Sequence, residues 1–236
     1  MGLEYNDYYD GETVLRAAIA RPSRDKAPAV LIAHQWAGRG ALEHNIAERL
    51  AELGYVGIAI DLFGKDISGS SGGDNTHLIE PWLKNRVGLA RRVLAAVEFA
   101  RSLSGVDTDQ LAVVGYCFGG MAALDLARLG GGKVRGIVSL HGLLGSDPSL
   151  SGDDITTKIA VYHGWDDPLA IPEQVLAFTQ EMTFRKADWQ LHAYGHVGHA
   201  FTNPHANKPE RGLLYNSLAD QRSWHGIISF LNEILE

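Results

Sequence analysis

Gly115-Tyr116-Cys117-Phe118-Gly119-Gly120 constrains this chain more than any other stretch, because it demands a sharp turn between two kinds of secondary structure. Just before it, Leu111-Ala112-Val113-Val114 is a short apolar run that suits a fully buried strand. Just after it, Met121 to Ala127 is rich in strong helix formers. A cysteine between glycines, placed between such a strand and such a helix, describes a nucleophile elbow with cysteine where serine is usual. The glycines are required because the nucleophile sits at strained dihedrals, and a flanking Cβ would strike the neighbouring strand or helix. A cysteine can also be buried as an inert small hydrophobe. The strand–turn–helix surroundings are what favour a nucleophile here.

The rest of the chain alternates in the same way. Thr13 to Ala20 suits an edge strand, and Ala29 to Ala33 a central one. Ala41 to Leu53 has helical spacing and is stopped by Gly54. Val56 to Ile60 is a strand, Asp61 to Glu80 a polar loop, and Pro81 is expected to open a helix reaching about Leu103. Beyond the elbow, strands are expected at Val134–Leu140, Ile159–His163 and Trp189–Tyr194, with helices at Pro172–Phe184 and Leu214–Leu235. No repeat or long linker divides residues 1–236, so one α/β domain is expected, with a mostly parallel central sheet and helices on both faces. Ligands of such sheets bind beyond the carboxyl ends of the strands. Gly69-Ser70-Ser71-Gly72-Gly73 also matches the elbow pattern through Ser71. No apolar strand precedes it and no apolar helix follows, so a flexible loop over the site is the better reading.

A thiol needs a base, and the base needs an orienting group. Asp166 and Asp167 follow the Ile159–His163 strand, and the turn G-x-x-D selects Asp167, with Asp166 as the fallback. Gly195-His196-Val197-Gly198-His199-Ala200-Phe201 follows the last strand. His199 is preferred as base because Ala200-Phe201 can pin its loop; His196 can instead face solvent or support His199. The spacing of His196, His199 and His205 also permits a metal, but no carboxylate or thiolate pattern accompanies it, and no metal or other cofactor is expected. His141 and His163, at strand ends, read as packing or supporting residues. An oxyanion would be received by the amide of Phe118 at a helix N-terminus, and by that of Trp36 in the loop after Ala33.

These residues carry a resemblance to the dienelactone hydrolase family of α/β-hydrolases. The elbow matches the family's G-Y-C-x-G-G, and the turn at Asp167 and the H-x-F segment at His199 follow in the same order and spacing. The resemblance spans nearly the whole chain. It implies an α/β-hydrolase fold, Cys117 as nucleophile, Asp167 as orienting acid, His199 as base, and the amides of Trp36 and Phe118 as the oxyanion hole. The chain departs from the family at two positions. Gln35 stands where members commonly carry a glutamate that suppresses the thiolate, and Asn203 where an arginine binds the substrate carboxylate.

Those departures turn the expected substrate from the anionic dienelactone toward neutral activated esters or lactones, with phosphotriesters as a further possibility because no carboxylate would repel their phosphoryl oxygens. Trp36, Phe118 and Trp165 are aromatic candidates for the pocket. A dienelactone hydrolase proper and a non-catalytic binding protein are the alternatives. A net charge of −7 argues against nucleic acid as partner, and a single cysteine rules out an internal disulfide. A free reactive thiol, with no basic or apolar N-terminal segment and no apolar run long enough for a membrane, fits a cytoplasmic protein acting on small molecules.

Overall fold

In the computed structural model, residues 2–70, 72–150 and 152–235 are described. Eight strands form one sheet in the order β1-β2-β4-β3-β5-β6-β7-β8. Here β1 is Glu4–Asp10, β2 Thr13–Ala20, β3 Ala27–Ala33, β4 Val56–Ile60, β5 Val106–Tyr116, β6 Gly136–Leu140, β7 Lys158–Gly164 and β8 Trp189–Tyr194. The first two strands run antiparallel to their neighbours, and β4, β3, β5, β6, β7 and β8 are mutually parallel. The α/β reading therefore holds. It is the mostly parallel sheet with helices on both faces that the alternation of strands and helices implies.

Alternate residues of each buried strand serve opposite cores, as a period of two requires. Ala29, Leu31 and Ala33 face one core with helices α3 (Arg86–Ser102), α4 (Phe118–Arg128) and α5 (Pro172–Phe184). Val30 and Ile32 face the other, with α1 (Ala41–Glu52) and α6 (Ser217–Ile234). The chain passes from β3 to β4 on one side and later places β5 on the other side of β3. That reversal opens a crevice beyond the carboxyl ends of β3 and β5. The elbow lies there.

Three expectations are corrected. Thr13–Ala20 is not the edge of the sheet: β1 lies outside it, joined by a tight turn at Gly11, whose φ is +58°. Pro81 does not open the long helix. It lies inside a short helix, α2 (Thr76–Leu83), which ends two residues further on. A new helix then starts at Arg86, where the Asn85 side chain accepts from the amide of Gly88. The closing helix starts at Ser217 rather than Leu214, capped by Asn216; Leu213–Leu214 instead form β10, paired with β9 (Asn207–Lys208). Among the described residues, no helix is long and apolar enough to cross a membrane.

Candidate active site

Cys117 sits between β5 and α4 at φ 52° and ψ −115°, the strained turn expected of an elbow. Its backbone N–H donates to Leu140 O at 2.9 Å, which ties the turn to the end of β6. Gly119 lets α4 start against β3: a Cβ there would stand 2.2 Å from Ala33 O. The thiol is half-buried and faces a cleft of about 220 Å³.

His199 Nε2 lies 3.1 Å from Cys117 Sγ, and His199 Nδ1 lies 2.7 Å from Asp167 Oδ2. His199 and Asp167 are each 2% exposed. The second oxygen of Asp167 accepts from the Leu169 amide at 2.8 Å, so the carboxylate cannot swing away freely. The backbone N–H of His199 donates to Gly212 O, and its carbonyl accepts from Leu214. Gly198 permits this docking of its loop on the β9–β10 hairpin, since a Cβ there would lie 2.4 Å from Gly212 O. Burial alone would lower the His199 imidazole. The charge of Cys117 and the bonds to Asp167 and Cys117 outweigh burial and lift it to about 10.

The fallback residues are elsewhere. His196 is fully exposed, and its Nδ1 is 3.8 Å from Asp166 Oδ2 on the surface. His196, His199 and His205 therefore do not converge on one point. Trp165, expected beside the substrate, is 44% exposed and absent from the cleft wall, while Asp167, two residues on in the same turn, is buried. Gln35, Trp36, Phe118 and Asn203 all line the cleft. Neither the Trp36 nor the Phe118 amide has a hydrogen-bond partner among the described residues. Asn203 Nδ2 donates to Gln35 Oε1 at 3.4 Å, so the two neutral side chains meet in the cleft.

Sequence reasoning missed the residues that hold these groups. His34 is buried, and burial lowers its imidazole to about 4. In the neutral ring, Nε2 accepts from the Leu62 amide and Nδ1 donates to Gln35 O at 2.6 Å, fixing the loop that carries Trp36. Glu43 closes the same loop by accepting from Gly40 N and Gln35 N. Ile79 and Leu83 of α2, with Leu143, Leu169 and Leu213, form the apolar wall, and Lys208 and Arg211 stand among the lining residues. Gly72 of the glycine-serine loop also reaches the cleft, where its carbonyl accepts from Lys208 Nζ at 3.4 Å. Ser71, the serine of the second elbow pattern, lies outside the described residues.

The model of the dienelactone hydrolase family matches residues 15–235. The chain belongs to that family. A probable 2-oxo-3-(5-oxofuran-2-ylidene)propanoate lactonase of Bradyrhizobium sp is 27% identical, with 94% of this chain and 90% of that protein covered. Carboxymethylenebutenolidase 1 of Cupriavidus pinatubonensis is 26% identical over 88% of each chain. The crystal structure of a dienelactone hydrolase-like promiscuous phosphotriesterase from metagenomic libraries superposes with a TM-score of 0.92 at 30% identity, covering 99% of this chain and 98% of that one. Like its relatives in the dienelactone hydrolase family, this protein is a hydrolase acting on ester or lactone bonds.

Proposed function

We propose that the protein is a thiol hydrolase of neutral activated esters and lactones. Cys117 is the nucleophile, His199 the acid–base group and Asp167 the carboxylate that orients it. The line of contacts from Asp167 Oδ2 through His199 to Cys117 Sγ, 2.7 and 3.1 Å long, carries this reading. Asp167 keeps a proton on Nδ1, which turns Nε2 toward the sulfur. At rest the thiolate faces an imidazolium. The thiolate attacks the carbonyl carbon, and the displaced electron pair moves onto the carbonyl oxygen, which the amides of Trp36 and Phe118 receive. Collapse expels the leaving oxygen, which takes the proton from Nε2 and leaves a thioester on Cys117. Water then gives a proton to Nε2 as it attacks the thioester. The thiolate departs, the acid is released, and the resting pair is restored.

A second reading, phosphotriester hydrolysis, is favoured by the neutral pair Gln35 and Asn203 beside the thiol cleft. Electron-rich phosphoryl oxygens would meet two amides there instead of a carboxylate. Likeness to a promiscuous phosphotriesterase supports it.

The test is the reaction with p-nitrophenyl acetate. A burst of nitrophenol equal to the enzyme present, together with an acetyl adduct on Cys117 in the mass spectrum, is expected, and Cys117→Ala should show neither. Turnover retained by that variant would move the chemistry to Ser71 or to a metal. His199→Ala should be nearly as damaging as Cys117→Ala, since such residues act as a unit. His196→Ala should be mild, because that ring is on the surface; reversed severities would reverse the assignment of the base.

A further inference from the structure

A third side chain meets Cys117 and His199, and hydrolysis does not use it. One ring nitrogen of His141, one of His199 and the sulfur of Cys117 lie within 4.8 Å of one another. His141 is fully buried, edge-on to His199 with ring centroids 5.1 Å apart. Its backbone is pinned at φ +38°, in a region that few residues other than glycine adopt, and its N–H donates to Tyr162 O. Nε2 lies 2.8 Å from the Thr202 hydroxyl, while Nδ1 has no hydrogen-bond partner among the described residues. A buried polar atom left in that state calls for an explanation.

We propose that Cys117, His141 and His199 form a binding site for a thiophilic divalent cation, best suited to Zn2+, whose occupancy blocks the thiol. Sulfur and two imidazoles are the donors Zn2+ favours, whereas Mg2+ and Ca2+ take oxygen. Both rings also carry the outer partners typical of metal-bound histidines, which fix the tautomer and aim the free nitrogen. For His199 that partner is the Asp167 carboxylate on Nδ1, and for His141 the Thr202 hydroxyl on Nε2. The cation takes Sγ of Cys117, Nε2 of His199 and Nδ1 of His141, and the proton shared by the first two leaves to solvent. The fourth position opens on the cleft, where water completes a tetrahedron. Zn–N bonds of about 2.0–2.1 Å and a Zn–S bond of about 2.3 Å set the ligand atoms about 3.3–3.6 Å apart. Cys117 and His199 are already that close, and a tilt of the His141 ring closes the remainder.

Cation binding is read without turnover, so it stands or falls separately from the hydrolysis. Co2+, as the coloured substitute for Zn2+, is titrated into the metal-free full chain. The expected spectrum has a thiolate-to-metal charge-transfer band and the intense visible bands of four-coordinate cobalt, both removed by added Zn2+. Zn2+ should also protect Cys117 from iodoacetamide. Cys117→Ser should lose the charge-transfer band. His141→Asn should weaken Co2+ and Zn2+ by at least about tenfold, and Thr202→Val, which keeps the imidazole, by about tenfold. A folded His141→Asn protein that binds as tightly as the parent overturns the proposal, as does a parent that gives only the weak bands of six-coordinate cobalt or does not bind. If His141→Asn does not fold, Thr202→Val decides: unchanged affinity overturns the site.

Discussion

One proton lies between Cys117 and His199, and its position sets how the reaction should respond to pH. In the free protein His199 is lifted to about 10, and the charge of Cys117 is the largest of the influences that raise it. A raised imidazole stays protonated up to that value, so it can serve as acid to the leaving group until pH passes it. The alkaline limb of kcat/KM, which reports the free enzyme, should therefore fall near pH 10. In the acyl-enzyme the sulfur carries no charge, so His199 should titrate lower and be free to act as base. Rates measured at saturation should then lose activity on the acid side, at a pH well below 10. A kcat/KM profile that bends near the ordinary histidine value instead would mean that no ion pair forms. Gln35 offers a second test. Gln35→Glu would place a negative charge in the cleft that Cys117 faces. Two unit charges ~4 Å apart repel by roughly 4 kcal/mol at an effective dielectric of ~20, and relaxation reduces this. Even a quarter of it, about 1 kcal/mol, is roughly a fivefold loss of thiolate, so iodoacetamide alkylation should move to higher pH, and phosphotriesters should suffer more than esters. An unmoved alkylation profile would show that residue 35 does not sense the sulfur. At this scale the sequence was legible wherever a strand end, a glycine and a chemically distinctive side chain coincided: Cys117, Asp167 and His199 lie in such turns, and their side chains meet. Trp165 shares its turn with Asp167 and points away, since successive residues of a turn need not face the same side. His34 carried no signal, because the amide of Leu62 that holds it is distant in sequence, whereas His141, read from its strand end as a packing or supporting residue, is fully buried.

The elbow element tolerates little change. A Cβ on Gly119 would stand 2.2 Å from Ala33 O and 2.7 Å from His34 O, both backbone atoms that cannot rotate aside. Gly119→Ala must push α4 away from the end of β3, and with it the Phe118 amide from the Trp36 loop. A loss of about 3 kcal/mol or more is expected, at the upper end of overpacking in a tight core. Urea unfolding measures it. A midpoint close to the parent's would show that the helix can shift without strain. Elements with one strong cue were legible: β4, β8 and α5 have the boundaries their apolar runs and the N-terminal proline imply. β1 was not, because four of its seven residues, Glu4, Tyr5, Asp7 and Tyr9, are exposed, Asn6 and Asp10 are half-buried, and only Tyr8 is buried. α2 was not, because its proline reads equally as a start or a stop until the cap at Asn85 is seen. Hidden too was what anchors the loop after β6, whose Leu143 walls the cleft. Arg128 Nη2 donates to Leu144 O and to Glu181, while Asp125 accepts from both Arg86 and Arg128. Those four charges are spread over more than ninety positions of the chain, and no local pattern joins them.

Across the whole molecule charge is distributed unevenly. The chain carries a net charge of −7, yet among the described residues no aspartate or glutamate lines the cleft, while Lys208 and Arg211 do. A wider open groove of about 910 Å³ crosses the amino ends of β5, β6 and β7. Its charges are partly paired, as in Lys158 with Glu233 and Arg101 with Glu98, and it lies at the end of the sheet opposite the elbow. The cleft is thus neutral at its floor, where Gln35 and Asn203 meet, and positive further out. Among the described residues Lys208 is held only by a 3.4 Å contact to Gly72 O, and the field of Arg211 reaches Asp74, helping the Thr76 bonds to lower that carboxyl. Both cations are therefore available to an anionic group carried far from the scissile bond. Exposed ion pairs contribute about 0.2–1 kcal/mol each, so two together correspond to roughly a twofold to thirtyfold change in affinity. Replacing both by glutamine should raise KM by such a factor for an aryl ester whose acyl chain ends in a carboxylate, and leave the matching methyl ester nearly unchanged. The difference should shrink as salt shortens the range of the interaction to a few ångströms. Equal changes for the two esters, or a difference that salt leaves intact, would mean that Lys208 and Arg211 shape the cleft without recognising charge.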